Sequence, residues 1–197
     1  MAIRREILLI LALILVIAVL VKLIEFFQVN VVEADASKFV LEDLRSKYPE
    51  VDPEKDIEIM TIIQKTNQYG QRYFEVKARV TEGAGTPCPE RSHIFYNYPA
   101  QNFVPQLPEV ITSGCLVCTE GICTIAFPEE AVIASHTFSG TGEISGYLRL
   151  FPDAVPAVME QEDSWKVVWD SPSAGYSYDL LLRRDGNVSS VKLLQKS

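Results

Sequence analysis

The amino-acid sequence predicts an α+β fold, in which an N-terminal single transmembrane helix precedes an antiparallel-sheet domain with helices packed on one face. Three observations carry this expectation. Ile7 to Val21 is an apolar run without charge, Gly or Pro. Farther on, apolar and polar residues alternate in short stretches bounded by turn residues, as half-buried strands require. Helical stripes stand before two groups of such strands, an order that suits helices stacked on an antiparallel sheet.

The apolar run is the first element. A hydrocarbon core of about 30 Å needs roughly 20 helical residues at 1.5 Å each. Residues 7–27 meet this if Lys22 and Glu25 lie near the interface, where a lysine stem lifts its ammonium toward the headgroups. Arg4 and Arg5 favour a cytoplasmic N-terminus and an extracytoplasmic remainder. A cleaved signal peptide is the alternative, with Ala34-Asp35-Ala36 as the small-residue motif. That motif lies far from Val21, which favours retention. A processed pilin-type helix lacks a Gly-based site before the run. The expected organisation is therefore a cytoplasmic N-terminus and anchor over 1–28, a stalk over 29–36, and an extracytoplasmic domain over 37–197. The expected location is the cell membrane, with the lipid bilayer contacted through residues 7–27.

Ser37 to Tyr48 reads as a helix, with Asp35 or Ser37 as cap and Phe39, Val40, Leu44 and Tyr48 as its stripe. Ile57–Thr66 and Tyr73–Thr81 form a hairpin around Asn67-Gln68-Tyr69-Gly70, the second strand burying Phe74, Val76, Ala78 and Val80. Residues 82–127 form a Cys-rich insertion, holding a short strand at His93–Tyr98, a Pro-rich stretch and a tight hairpin at Leu116–Phe127 around Glu120-Gly121. Pro128-Glu129-Glu130 resembles a helix start, with acids beside the positive helix end, although Ala131–His136 is short enough to be read equally as a strand. Glu143–Glu160 has helical character broken by Pro152 and Pro156. Three strands close the chain: Trp165–Trp169, Tyr176–Leu182 and Val188–Leu194. Ile62–Val80 and Val167–Leu182 echo one another as strand, turn and alternating strand, a likeness that any two hairpins share.

The formal charge is −8. Such acidity without a basic stripe argues against DNA and RNA as partners. Only two histidines occur, which restricts histidine-based catalysis and metal binding. His136 with Glu129 or Glu130 makes at most a pair, too little for a catalytic site. Gly140-x-Gly142-x-x-x-Gly146 has the wrong spacing for a dinucleotide loop. Asn187-Val188-Ser189 is a glycosylation triplet.

Cys88, Cys115, Cys118 and Cys123 are the four cysteines of the chain. Outside the cytoplasm two disulfides are the default. If Glu120-Gly121 makes a two-residue turn, Cys118 and Cys123 face each other about 4.5 Å apart, within disulfide reach. Cys88 then pairs with Cys115, and closing that loop is worth about 3 kcal/mol. A Cys₄ zinc site is the sharper alternative, since Cys115-x-x-Cys118 has knuckle-like spacing, but a second such pair is missing. A redox Cys115–Cys118 pair is a third reading, without the βαβ setting it needs.

The aromatic stretch His93 to Tyr98 places His93, Phe95 and Asn97 on one strand face and Ile94, Tyr96 and Tyr98 on the other. One face is expected to be core. The other face is either core as well, beneath the Pro-rich loop, or an exposed recognition surface, with Tyr96 and Tyr98 and Phe103 downstream as the candidate binding residues, because tyrosine suits interfaces.

At the C-terminal end, Trp165-Lys166-Val167-Val168-Trp169, Gly175-Tyr176-Ser177-Tyr178-Asp179-Leu180 and Asp185-Gly186-Asn187-Val188 with Val191 resemble the strand triplet of a PepSY domain. The resemblance spans about 143–197. It implies a cystatin-like α+β module that is exported or membrane-attached, associated with protein binding, and without catalytic residues of its own. The expected function is thus a non-catalytic module or accessory subunit that binds another envelope protein or a peptide, with no cofactor. The alternative is an extracytoplasmic redox or zinc-dependent enzyme using the cysteine cluster.

Overall fold

A computed structural model describes residues 13–20, 32–99, 105–118 and 123–196. The chain divides into two compact units, residues 1–32 and 33–197. In the first unit residues 13–20 are helical, with Leu13, Ile17 and Leu20 among its exposed apolar side chains. No helix among the described residues is long and apolar enough to cross a membrane. This corrects the expected transmembrane helix. The described helical stretch, 13–20, accounts for only about 12 Å of rise, less than half of a hydrocarbon core. The remaining parts of the expected segment, 7–12 and 21–27, lie outside the described residues.

A second correction concerns the sheet. The α+β unit 33–197 contains two antiparallel sheets of four strands, each in sequential order. The first follows helix α1 (Glu33–Lys47) and comprises β1 (Ile57–Thr66), β2 (Arg72–Glu82), β3 (Glu90–Tyr98) and β4 (Glu109–Thr112). Helix α1 begins at Glu33, so 33–36, expected as stalk, are helical. Glu33 and Asp35 then occupy the positive first turn, and Arg45 and Lys47 the last, matching the helix dipole. Ala36, Val40 and Leu44, spaced one turn apart, are fully buried. They meet the face of β2 that carries Phe74, Val76, Ala78 and Val80. Register pairs Phe74 with Tyr98, Val76 with Tyr96 and Ala78 with Ile94, so these β3 residues share the helix-covered face. The opposite face carries cross-strand ion pairs: Lys65–Glu75 at 2.7 Å, Lys77–Glu109 at 3.1 Å and Arg79–Glu58 at 3.3 Å.

Helices α2 (Pro128–Thr137) and α3 (Gly142–Leu150) precede the second sheet, β5 (Val155–Gln161), β6 (Ser164–Asp170), β7 (Tyr176–Arg183) and β8 (Val188–Gln195). Pro128 opens α2, and Glu130 reaches back to accept from the amides of Ala126 and Phe127 at 2.7 and 2.9 Å. The core here joins Trp165, Val167 and Trp169 of β6 and Leu180 and Leu182 of β7 to Val132, Ile144 and Tyr147 of the helices. Each buried indole N–H has a partner: Trp165 donates to the Ile125 carbonyl and Trp169 to Ser135 Oγ, both at 2.9 Å.

The helical character expected over 143–160 ends at Leu150. Pro152 lies in the following turn, and β5 takes the rest. Pro156 is tolerated there because β5 is an edge strand. The echo between Ile62–Val80 and Val167–Leu182 is out of step: it matches the first and second strands of one sheet to the second and third of the other. In the Cys-rich insertion, β4 is an addition to the expected elements, and the expected hairpin over 116–127 is absent among the described residues. Only a bridge between Ser113 and Leu116 is strand-like, and residues 119–122 lie outside them.

Candidate functional site

The two sheets meet where the β2–β3 end of the first approaches α2 and β5. A buried polar network fills this junction. Arg91 of β3 and Glu129 of α2 form an ion pair at 2.9 Å, with side chains only 5% and 8% exposed. Glu129 also accepts from Thr81 Oγ1 at 2.9 Å, so both carboxylate oxygens are engaged. The Arg91 guanidinium lies 4.0 Å over the Phe127 ring and donates through Nε to His93 Nε2 at 3.1 Å. His93 Nδ1 lies 3.0 Å from Glu109 Oε2. Burial foremost, with Lys77 and Arg91 adding to it, lowers the His93 pKa against the pull of Glu109. Hydrogen bonds from His93 and Lys77 hold the Glu109 carboxyl below its usual range.

Beside this network runs a cleft of about 180 Å³. Val132, Pro156 and Val158 supply apolar wall, while Lys55, Asp56 and Arg79 supply charge. Arg79 donates to the Lys55 carbonyl at 3.0 Å and pairs with Glu58. Its Nε is buried without a hydrogen-bond partner, which is costly for a charged donor unless a ligand or solvent meets it. Burial, with the charge of Asp52 adding to it, raises the Asp56 pKa against Arg79 and Lys55. Among the described residues the lining contains Thr81 but no Ser, Cys or His, and the Thr81 hydroxyl is committed to Glu129. The chemistry offered is recognition of apolar and charged groups together, as in ligand clefts generally.

The residues that the sequence points to are placed differently. Tyr96 and Tyr98 are half-buried beneath α1. The Tyr96 hydroxyl donates to Asp43 at 2.6 Å, and Phe39 packs 5.3 Å from the Tyr98 ring. Phe103 lies outside the described residues. Cys88 is bonded to Cys115 and Cys118 to Cys123, so no thiol is free and the thiolates a Cys₄ zinc site needs are not presented. Cys88, Cys115 and His136 do converge, with ligand atoms within 4.8 Å of one another.

Arg79, Arg91 and Asp56 carry no site signal in the sequence, and Glu129 is noticed there only beside His136, which is not its partner in the network. Arg79 falls on the polar side of an alternating strand, which sequence alone reads as a solvated face. Glu129 reads as a helix-start acid. Only the meeting of the two sheets gives these residues a common purpose. No protein-family model matches the chain, and no curated protein matches it.

Proposed function

We propose that this protein is a non-catalytic binding module of an extracytoplasmic compartment, and that it holds a short segment of an envelope protein or peptide in the cleft between its two sheets. The observation that carries this reading is the cleft itself, where Lys55 and Arg79 stand beside the apolar wall of Val132, Pro156 and Val158. A segment with an apolar side chain beside an acidic one suits it: the apolar group against Val132 and Val158, the acid against Arg79 and Lys55. Two disulfides support the oxidising compartment. The resemblance of 143–197 to PepSY domains, a protein-binding family, points the same way.

The test is a selection of peptides from a random library on the immobilised protein, followed by titration of the best binder. Arg79→Ala and Val158→Arg are each expected to weaken its affinity by about tenfold or more, the scale of one lost charged hydrogen bond or one blocked apolar contact. Unchanged affinity in both variants would refute the cleft as the site.

A further inference from the structure

Helix α2 brings His136 against the disulfide between Cys88 and Cys115. His136 Nε2 lies 2.7 Å from the Pro87 carbonyl and 3.8 Å from Cys115 Sγ. A carbonyl oxygen only accepts, so Nε2 carries the proton and donates it to Pro87, with the Cys115 sulfur as the second, more distant acceptor near the same N–H. The ring is held in place. Its centroid lies 5.8 Å from that of Trp169 with the planes nearly perpendicular, and Ser145 Oγ donates to the His136 carbonyl. Cys88 and Cys115 both retain solvent contact. The other disulfide, Cys118–Cys123, has no histidine to match. The chain has two histidines, and His93 is committed to Arg91 and Glu109.

We propose that Cys88–Cys115 is a thiol-exchange site, in which an incoming thiolate attacks Cys88 and the Cys115 sulfur leaves toward His136. In the first step the thiolate sulfur bonds to Cys88 Sγ and the Cys88–Cys115 bond breaks. Its electron pair departs on Cys115 as a thiolate, and the single His136 Nε2–H, donated to the Pro87 carbonyl in the intact disulfide, is then shared with that sulfur. Charge is conserved, and the product is a mixed disulfide on Cys88. A second thiolate then attacks the sulfur that came from the first thiol. That step releases the Cys88 thiolate and oxidises the two thiols to their own disulfide, so two thiols supply the two electrons. Attack is directed because exchange is fastest where the departing thiolate is best stabilised. The reacting class is a thiol, from either a small molecule or a protein dithiol.

The experiment uses the full chain with reduced glutathione in one arm and a CxxC dithiol oxidoreductase in the other. Timed alkylation and peptide mass mapping report each disulfide. The expected result, in at least one arm, is opening of Cys88–Cys115 about tenfold faster than Cys118–Cys123, with the trapped adduct on Cys88. His136→Ala is expected to remove that advantage, and His136→Gln, which keeps an N–H donor, to restore part of it. Equal opening in both arms, or an adduct on Cys115, would overturn the proposal. The adduct position is read on the unsubstituted chain, so a variant that fails to fold leaves the decision intact.

Discussion

Arg91 Nε donates a hydrogen bond to His93 Nε2 at 3.1 Å. A guanidinium has no lone pair to offer, so Nε2 is the acceptor, and the imidazole proton sits on Nδ1, from which it is donated to Glu109. His93 is therefore neutral in the folded chain. It is also 1% exposed; Arg79 of β2 is its cross-strand neighbour, and Lys77 of β2, Arg91 of β3 and Glu109 of β4 act on its charge. Protonation would set a second buried cation against Arg91.

The pH dependence follows. The His93 pKa is lowered on folding, chiefly by burial, from an ordinary 6.5. Below 6.5 the unfolded chain binds a proton that the folded chain resists, so this contribution to stability is complete above 6.5 and declines as pH falls. His136, also lowered by burial, acts in the same direction. Thermal unfolding followed from neutrality to about pH 5 should show this loss. The double variant His93→Gln, His136→Gln is expected to flatten it.

The Arg91–Glu129 pair joins the two sheets through buried charge. Removing one partner leaves the other uncompensated, so Arg91→Met alone is expected to cost about 3–5 kcal/mol in denaturant unfolding. Adding Glu129→Leu should recover much of that loss, because a buried ion pair and a packed apolar pair are often comparable. A double variant no more stable than Arg91→Met would contradict this coupling.

Gly186 in the β7–β8 turn has φ +83°, and a Cβ there would lie 2.8 Å from Phe138 Cε2 and 3.2 Å from Cys123 Sγ. Gly186→Ala thus meets both backbone strain and a ring packed against the core. A loss of about 1–3 kcal/mol is expected, and full retention of stability would show that Phe138 can move aside.

The Tyr96 hydroxyl bonds to the Asp43 carboxylate across the α1–β3 contact. Tyr96→Phe is expected to lower stability by about 1–2 kcal/mol. Burial opposes ionisation of Asp43, and hydrogen bonds from Lys47 and Tyr96 outweigh it and hold its pKa low. Carboxyl titration by NMR should therefore show the Asp43 value rising in the variant.

What can be read from sequence tracks how locally each feature is determined. Strands β6, β7 and β8 declare themselves through alternation and through the Asp185-Gly186 turn, which are local signals. Strand β5 is hidden by Pro152 and Pro156, because proline at a sheet edge and proline ending a helix look the same without knowing the edge. The face of Tyr96 and Tyr98 reads as core or as a binding surface, because alternation separates two faces but does not name the covered one. That choice is made by Ala36, Val40 and Leu44, far earlier in the chain. The cleft is not legible for the same reason: Lys55 and Arg79 come from the side of the first sheet, Val132 from α2 and Val158 from the other sheet. No spacing in the sequence encodes their meeting.

The most direct test of the central claim is amide chemical-shift mapping of the full chain with a saturating, library-selected peptide. The expected result is that the largest shifts fall on Asp56, Arg79, Thr81, Ala84, Glu129 and Val158, around the cleft. Shifts confined instead to the open outer face of the second sheet, at Met159, Leu181 and Leu194, would contradict binding in the cleft.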